Sequence, residues 1–150
     1  MTLVFALMLA AAPTPPVTLP CPAPSHYDGD DIRCASDEWR AIAGKGGMRL
    51  ARINAPEIRC RKAKQGHRPA PCQKAAAIAS RDHLRGLTAG RAVSCSWSGE
   101  RTSERTGSRP VVFCEAAGSG DLSCRQWRDG EARYIPQFDP EKRFATACRR

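Results

Sequence analysis

The sequence predicts a β-rich α+β domain stapled by disulfides, and three observations carry that expectation. Short apolar runs separated by Gly, Pro and Asp turn signals recur along the chain, the pattern of a meander of short strands. One Ala-rich stretch, residues 73–87, interrupts them with helical composition. Eight cysteines in 150 residues form an even, dense set, and such a set persists as disulfides only in an oxidising compartment.

In chain order, MTLVFALMLAAAPTPP is an apolar run ending in small residues, with no charge before Asp28. It matches the apolar region of a secretory leader and is too short to span a bilayer. Residues 1–20 are therefore expected to be leader and Pro-rich spacer, and residues 21–150 one folded domain, since a chain of this size buries one core and hardly two. Pro20, Pro22 and Pro24 suit an extended arm, because proline donates no ladder hydrogen bond. Asp28-Gly29 is a turn signal. Residues 32–42 and 48–53 read as strands joined by a Gly-rich connector at 43–47, and Asn54-Ala55-Pro56-Glu57 as a turn. A basic loop, 59–71, leads into the helix at 73–87, with Ile78, Leu84 and Leu87 as its apolar points and Gly90 as its stop. Residues 91–98 and 110–115 read as two more strands around a polar loop. Asp121 suits the N-cap of a short helix ending at Gly130, and Asp139-Pro140 the start of another. Three strands, a helix, two strands and terminal helices suit a five-stranded Greek-key barrel of the OB type with about three helices; on pattern alone, a two-layer α+β sheet fits as well.

No Cys-x-x-Cys occurs, and His26, His67 and His83 lack metal-ligand spacing, so the cysteines read as disulfides and the histidines as surface residues. Cys60 with Cys72, closing one loop, and Cys95 with Cys114, on segments able to form a hairpin, are the two pairings the spacing suggests. Lys plus Arg number 24 against 15 Asp plus Glu, a formal charge of +9. That field attracts polyanions, with nucleic acid or anionic lipid first among them.

The residues suited to chemistry lie in four separated segments. Asp28 and Asp30 flank Gly29 in YDGDDIRC and can offer hard oxygen ligands to a cation, while Asp31, next along a strand, is expected on the opposite face. Arg49 lies in an apolar strand, where a guanidinium must reach the surface or an anion. Glu57 follows Pro56 in a rigid turn. Arg109 enters a strand from a polar loop, and with Arg49 it makes a two-armed clamp suited to a phosphodiester. Each also has an ordinary structural explanation: an acidic turn, a solvated arginine, a carboxylate at a turn.

Taken in order, Asp28-Gly29-Asp30, Met48 to Glu57, Gly107-Ser108-Arg109-Pro110-Val111 and Asp121-Leu122 before Gly130 and Tyr134 resemble the thermonuclease (micrococcal nuclease) family over residues 21–138. The resemblance implies an OB fold and Ca²⁺-dependent hydrolysis of DNA or RNA. It implies Asp30 as a calcium ligand with Asn54 and the Ala55 carbonyl beside it, Arg49 and Arg109 holding the scissile phosphate, and Glu57 as base for the attacking water. Three positions depart from the family pattern. Asn54 stands where an aspartate is usual, which removes one negative charge and implies weaker calcium binding. Ala55 replaces a threonine, and Thr106-Gly107-Ser108-Arg109 replaces a Tyr-Gly-Arg, removing a possible contact to the nucleotide.

The expected protein is an exported, monomeric, periplasmic or extracellular nuclease with little sequence selectivity and no stable membrane association after leader removal. The alternative is an OB-fold protein that binds nucleic acid or another polyanion without cleaving it.

Overall fold

The computed structural model describes residues 16–59, 73–103 and 107–149. The Cys60–Cys72 pairing, His67, most of the basic loop and most of the leader lie outside these residues.

Among the described residues, eight strands, four α-helices and a 3₁₀ turn follow one another as β1 (Val17–Pro20), β2 (Asp31–Ile32), α1 (Asp37–Ala43), β3 (Met48–Leu50), β4 (Ile53–Asn54), α2 (Lys74–Thr88), β5 (Val93–Arg101), β6 (Pro110–Ala116), β7 (Gly120–Asp121), α3 (Leu122–Arg128), β8 (Arg133–Tyr134), the 3₁₀ turn Pro136–Phe138 and α4 (Arg143–Cys148). This is a mixed α+β fold. Six strands form one sheet in the order β1-β5-β6-β3-β2 with β7 also on β6, and β4 pairs with β8 in a separate ribbon. The β5–β6 hairpin is its spine, with Cys95 opposite Cys114 and Val93 opposite Ala116. Pro110, Val112, Cys114 and Ala116 alternate inward along β6, the period-two burial of a sheet with one face on a core.

The expected five-stranded closed barrel gives way to an open, six-stranded sheet. The cause lies just after Leu50. Arg52 adopts φ 67°, and the chain turns out of the sheet at Ala51-Arg52, so β4 continues on β8 instead of extending β3. Edge strands β1 and β2 are linked by the Cys21–Cys34 disulfide and by single contacts, such as the Ala35 amide donating to the Pro22 carbonyl at 2.9 Å. The sheet begins inside the stretch read as leader and spacer, because Val17–Pro20 pairs with Ser94–Trp97.

The strand expected over 32–42 is mostly helix α1. Ser36 caps it by accepting from the Trp39 amide at 3.2 Å, and Asp37 and Glu38 occupy the first turn, where carboxylates favour the helix dipole. Trp39 is buried and donates its indole N–H to the Pro20 carbonyl at 3.0 Å. The helix at 73–87 is present as α2, and its buried positions, Ala77, Ser80, Leu84, Leu87 and Thr88, follow helical spacing. Asp121 caps α3 by accepting from the Cys124 amide at 2.7 Å. Asp139 precedes α4 by four residues, yet its carboxylate accepts from the amides of Phe144 and Ala145, serving the orphan donors of that helix from a distance.

Among the described residues, disulfides join Cys21–Cys34, Cys95–Cys114 and Cys124–Cys148. The hairpin pairing expected for Cys95 and Cys114 is among them. Cys124–Cys148 ties α3 to α4 beside a stack in which Trp127 lies 4.9 Å from Tyr134 and 6.0 Å from Phe144. No helix among the described residues is long and apolar enough to cross a membrane.

Candidate active site

The acidic loop 28–31 runs into β2, and β2 pairs antiparallel with β3 so that Asp31 faces Arg49 in register. β3 in turn pairs parallel with β6, placing Arg49 opposite Val111, two residues beyond Arg109. Sheet topology thus brings three of the four sequence segments together. The turn after β3 returns Asn54 and Ala55 to the same place, while Glu57, further along that turn, does not join them.

The contacts are direct. Arg49 Nη2 donates to Asp30 Oδ2 at 2.9 Å, to Asn54 Oδ1 at 2.6 Å and to the Ile53 carbonyl at 3.3 Å. The Ala55 amide donates to the same Asp30 oxygen at 2.8 Å. Nη1 and Nε of Arg49 have no hydrogen-bond partner among the described residues. Arg109 Nη1 lies 3.4 Å from Asp31 Oδ2, and the Tyr27 amide donates to Asp31 Oδ1 at 3.3 Å. Asp30 therefore meets Arg49, and Asp31 meets Arg109 and, at 3.9 Å, Arg33.

Asp28, Asp30 and Asp31 are all buried. Burial pushes Asp30 up to about 7; Arg49 pulls against this, the Asp28 charge adds to it, the Ala55 amide opposes it, and a hydrogen bond shared with Asp28 raises it again. Burial likewise raises Asp31, with the Tyr27 amide opposing and Asp28 adding. Asp28 Oδ1 is buried and has no hydrogen-bond partner. Asp28 and Asp30 share a hydrogen bond, and two buried carboxylates held this closely call for a proton or a cation between them.

Glu57 is exposed and makes no hydrogen bond or ion pair with Asp30, Arg49, Asn54 or Arg109. A cleft of about 630 Å³ opens beside β3; Arg49, Arg52, Asn54, Tyr134 and Phe138 are among the residues that line it, whereas Asp30, Glu57 and Arg109 are not. Its far wall carries an ion pair, with Arg52 Nη1 donating to both Glu100 carboxylate oxygens at 2.9 and 3.0 Å.

Two braces hold the acidic loop, and neither was expected. His26, read as a surface residue, is buried. Its Nδ1 lies 2.8 Å from the Asp31 carbonyl and its Nε2 3.0 Å from Thr88 Oγ1. Burial lowers its pKa, the carbonyl contact opposes this, and Arg85 adds to the lowering. The neutral ring donates from Nδ1 and accepts the threonine hydroxyl at Nε2. On the other side Gln126, fully buried in α3, donates to the Gly29 carbonyl at 2.7 Å. Gly29 has no room for a side chain, since a Cβ there would lie 1.8 Å from Ser80 Oγ. The sequence signal for Gln126 was its place four residues after Leu122, a polar side chain at a core position of an amphipathic helix, which demands buried partners.

No family model matches the chain, and no curated protein matches it.

Proposed function

We propose that the protein is an exported, calcium-dependent nuclease of the thermonuclease type, with an OB-like arrangement of its sheet, hydrolysing phosphodiester bonds of DNA or RNA with little sequence selectivity. The observation that carries this reading is the anchoring of Arg49. One guanidinium nitrogen is tied to Asp30 and Asn54, and the hydrogen bonds of Arg49 among the described residues all run through it, while Arg49 lines a cleft. A guanidinium anchored in that way has donors left for a bidentate grip on a phosphate.

Oxygen donors in the acidic loop and the turn after β3 are the groups that a hard cation would use. Asp30, the Asn54 side-chain oxygen and the Ala55 carbonyl would hold it, in place of the contacts that Asp30 Oδ2 and Asn54 Oδ1 make with Arg49 Nη2, and oxygen donors of this kind suit Ca²⁺. When bound, the ion supplies positive charge against the phosphate and lowers the cost of forming hydroxide. Arg49 and Arg109 stabilise the negative charge that grows on the phosphoryl oxygens during attack. Glu57 accepts a proton from the attacking water. Its exposure means that substrate must bring the phosphate to it. All of these contacts are to phosphate, so sequence is not read. The basic surface, +9 in total, draws the polyanion in.

The test is release of acid-soluble nucleotides from denatured DNA in Ca²⁺ and in chelator, for the wild type, Arg49→Ala and Glu57→Gln. The expected result is calcium-dependent release, reduced in both variants. Equal release in every sample overturns the mechanism.

One observation favours the alternative of binding without cleavage: Glu57 touches none of the other site residues. In that case DNA binds in a salt-sensitive manner and no nucleotide is released.

A further inference from the structure

We infer that Gln126 is a positioning residue for the acidic loop: its buried side-chain amide fixes the peptide between Asp28 and Asp30 and so sets where those two carboxylates converge. The inference deepens the cation-dependent reading above and rests on it.

Gln126 Nε2 donates to the Gly29 carbonyl at 2.7 Å and to the Ser80 carbonyl at 3.1 Å, with Ser80 Oγ at 3.2 Å. Two carbonyl acceptors on one side fix which end of the amide faces the loop, because a flipped amide would set its oxygen against both. The opposite end of the amide meets His83. His83 Nδ1 lies 2.5 Å from Gln126 Oε1, an oxygen that only accepts, so that ring nitrogen carries a proton. Asp129 Oδ2 stands 3.1 Å from His83 Nε2 and also accepts from Arg125. A chain of polar contacts thus runs from the surface pair Arg125–Asp129 through His83 and Gln126 to the loop backbone.

The link spans 97 residues of sequence and ends at a glycine whose Cα packs on Ser80. Side chains at Asp28 and Asp30 leave the backbone on either side of that one carbonyl. Loss of the amide donor leaves the Gly29 carbonyl buried and unpaired, and the loop shifts to satisfy it. Groups that orient the ligands of a metal typically change its affinity by about tenfold to a hundredfold when removed.

The experiment compares the wild type with Gln126→Glu, which keeps the side-chain length and shape, and Gln126→Leu, which removes the polar end. Terbium, a luminescent probe for calcium-type oxygen sites, is titrated into each protein, and amide hydrogen exchange is followed across the loop and across β5–β6. The expected result is terbium affinity lower by about tenfold or more in both variants, with faster exchange at Gly29 and Asp30 and unchanged exchange in β5–β6. Wild-type affinity in a folded variant overturns the inference and leaves the cation reading standing. Faster loop exchange with unaltered affinity also overturns it, making the brace structural only. Absence of terbium binding in the wild type overturns the cation reading and this inference with it.

Discussion

The buried carboxylate of Asp30 makes a quantitative prediction about stability against pH. Its ordinary value is 3.8 and the folded protein raises it to about 7. Between those values the folded state binds more protons than the unfolded chain, so stability falls as pH rises through this window. The span is about three pH units, and at 1.36 kcal/mol per unit the contribution is about 4 kcal/mol. It is essentially complete near pH 4 and nearly absent at pH 8. Asp31 and Asp121, also raised by burial, act in the same direction. His26 acts oppositely, since its lowered pKa makes the unfolded chain the better proton acceptor below 6.5. The Asp30→Asn substitution removes the Asp30 contribution together with its contact to Asp28, and leaves those of Asp121 and His26 in place. Urea unfolding with intact disulfides, measured from pH 4 to 8 for both proteins, should give curves whose difference changes by about 4 kcal/mol, the wild type gaining on the variant as pH falls. A difference independent of pH would show that Asp30 ionises normally in the folded protein and would refute the reasoning.

Other outcomes follow from the same structure. His26→Gln should lessen the loss of stability below pH 6.5, where the neutral buried ring ceases to favour the folded state, and the same unfolding series reads it. Gly29→Ala forces a methyl against Ser80 Oγ and should cost about 1–3 kcal/mol in urea unfolding. Replacing Cys124 and Cys148 together by serine opens a loop of sequence separation 24 and should cost about 3 kcal/mol on the chain-entropy estimate, read by the same method. Affinity for single-stranded DNA should fall steeply and log-linearly with salt, as a fluorescence titration at several salt concentrations would show.

The sheet spine, α2, the cap of α3 and the Cys95–Cys114 staple were legible because each is written locally, in alternation, Ala-rich composition or an Asp before an apolar turn. Helix α1 is equally local, since Ser36 caps it by accepting from the Trp39 amide, but the strand expected over 32–42 takes no account of that cap. The departure of β4 was not legible. It depends on Arg52 at positive φ, a conformation that a non-glycine side chain adopts only when its surroundings hold it there, and those surroundings are Glu100 and Phe113 from another part of the chain. Asp30, Arg49, Asn54 and Ala55 could be named from their order in the sequence because short strands return them to one edge. Glu57, one turn further on, had the same sequence credentials and does not join them. His26 and Gln126 act through backbone carbonyls rather than side chains, and a motif read along the sequence does not reveal such contacts.

The most direct test of the account is the rate of nucleotide release from denatured DNA as Ca²⁺ is titrated at pH 8, where Asp30 is ionised. The account predicts no release in chelator and a saturable rise with calcium. An equal rate with and without calcium, or no release at any concentration, would contradict it.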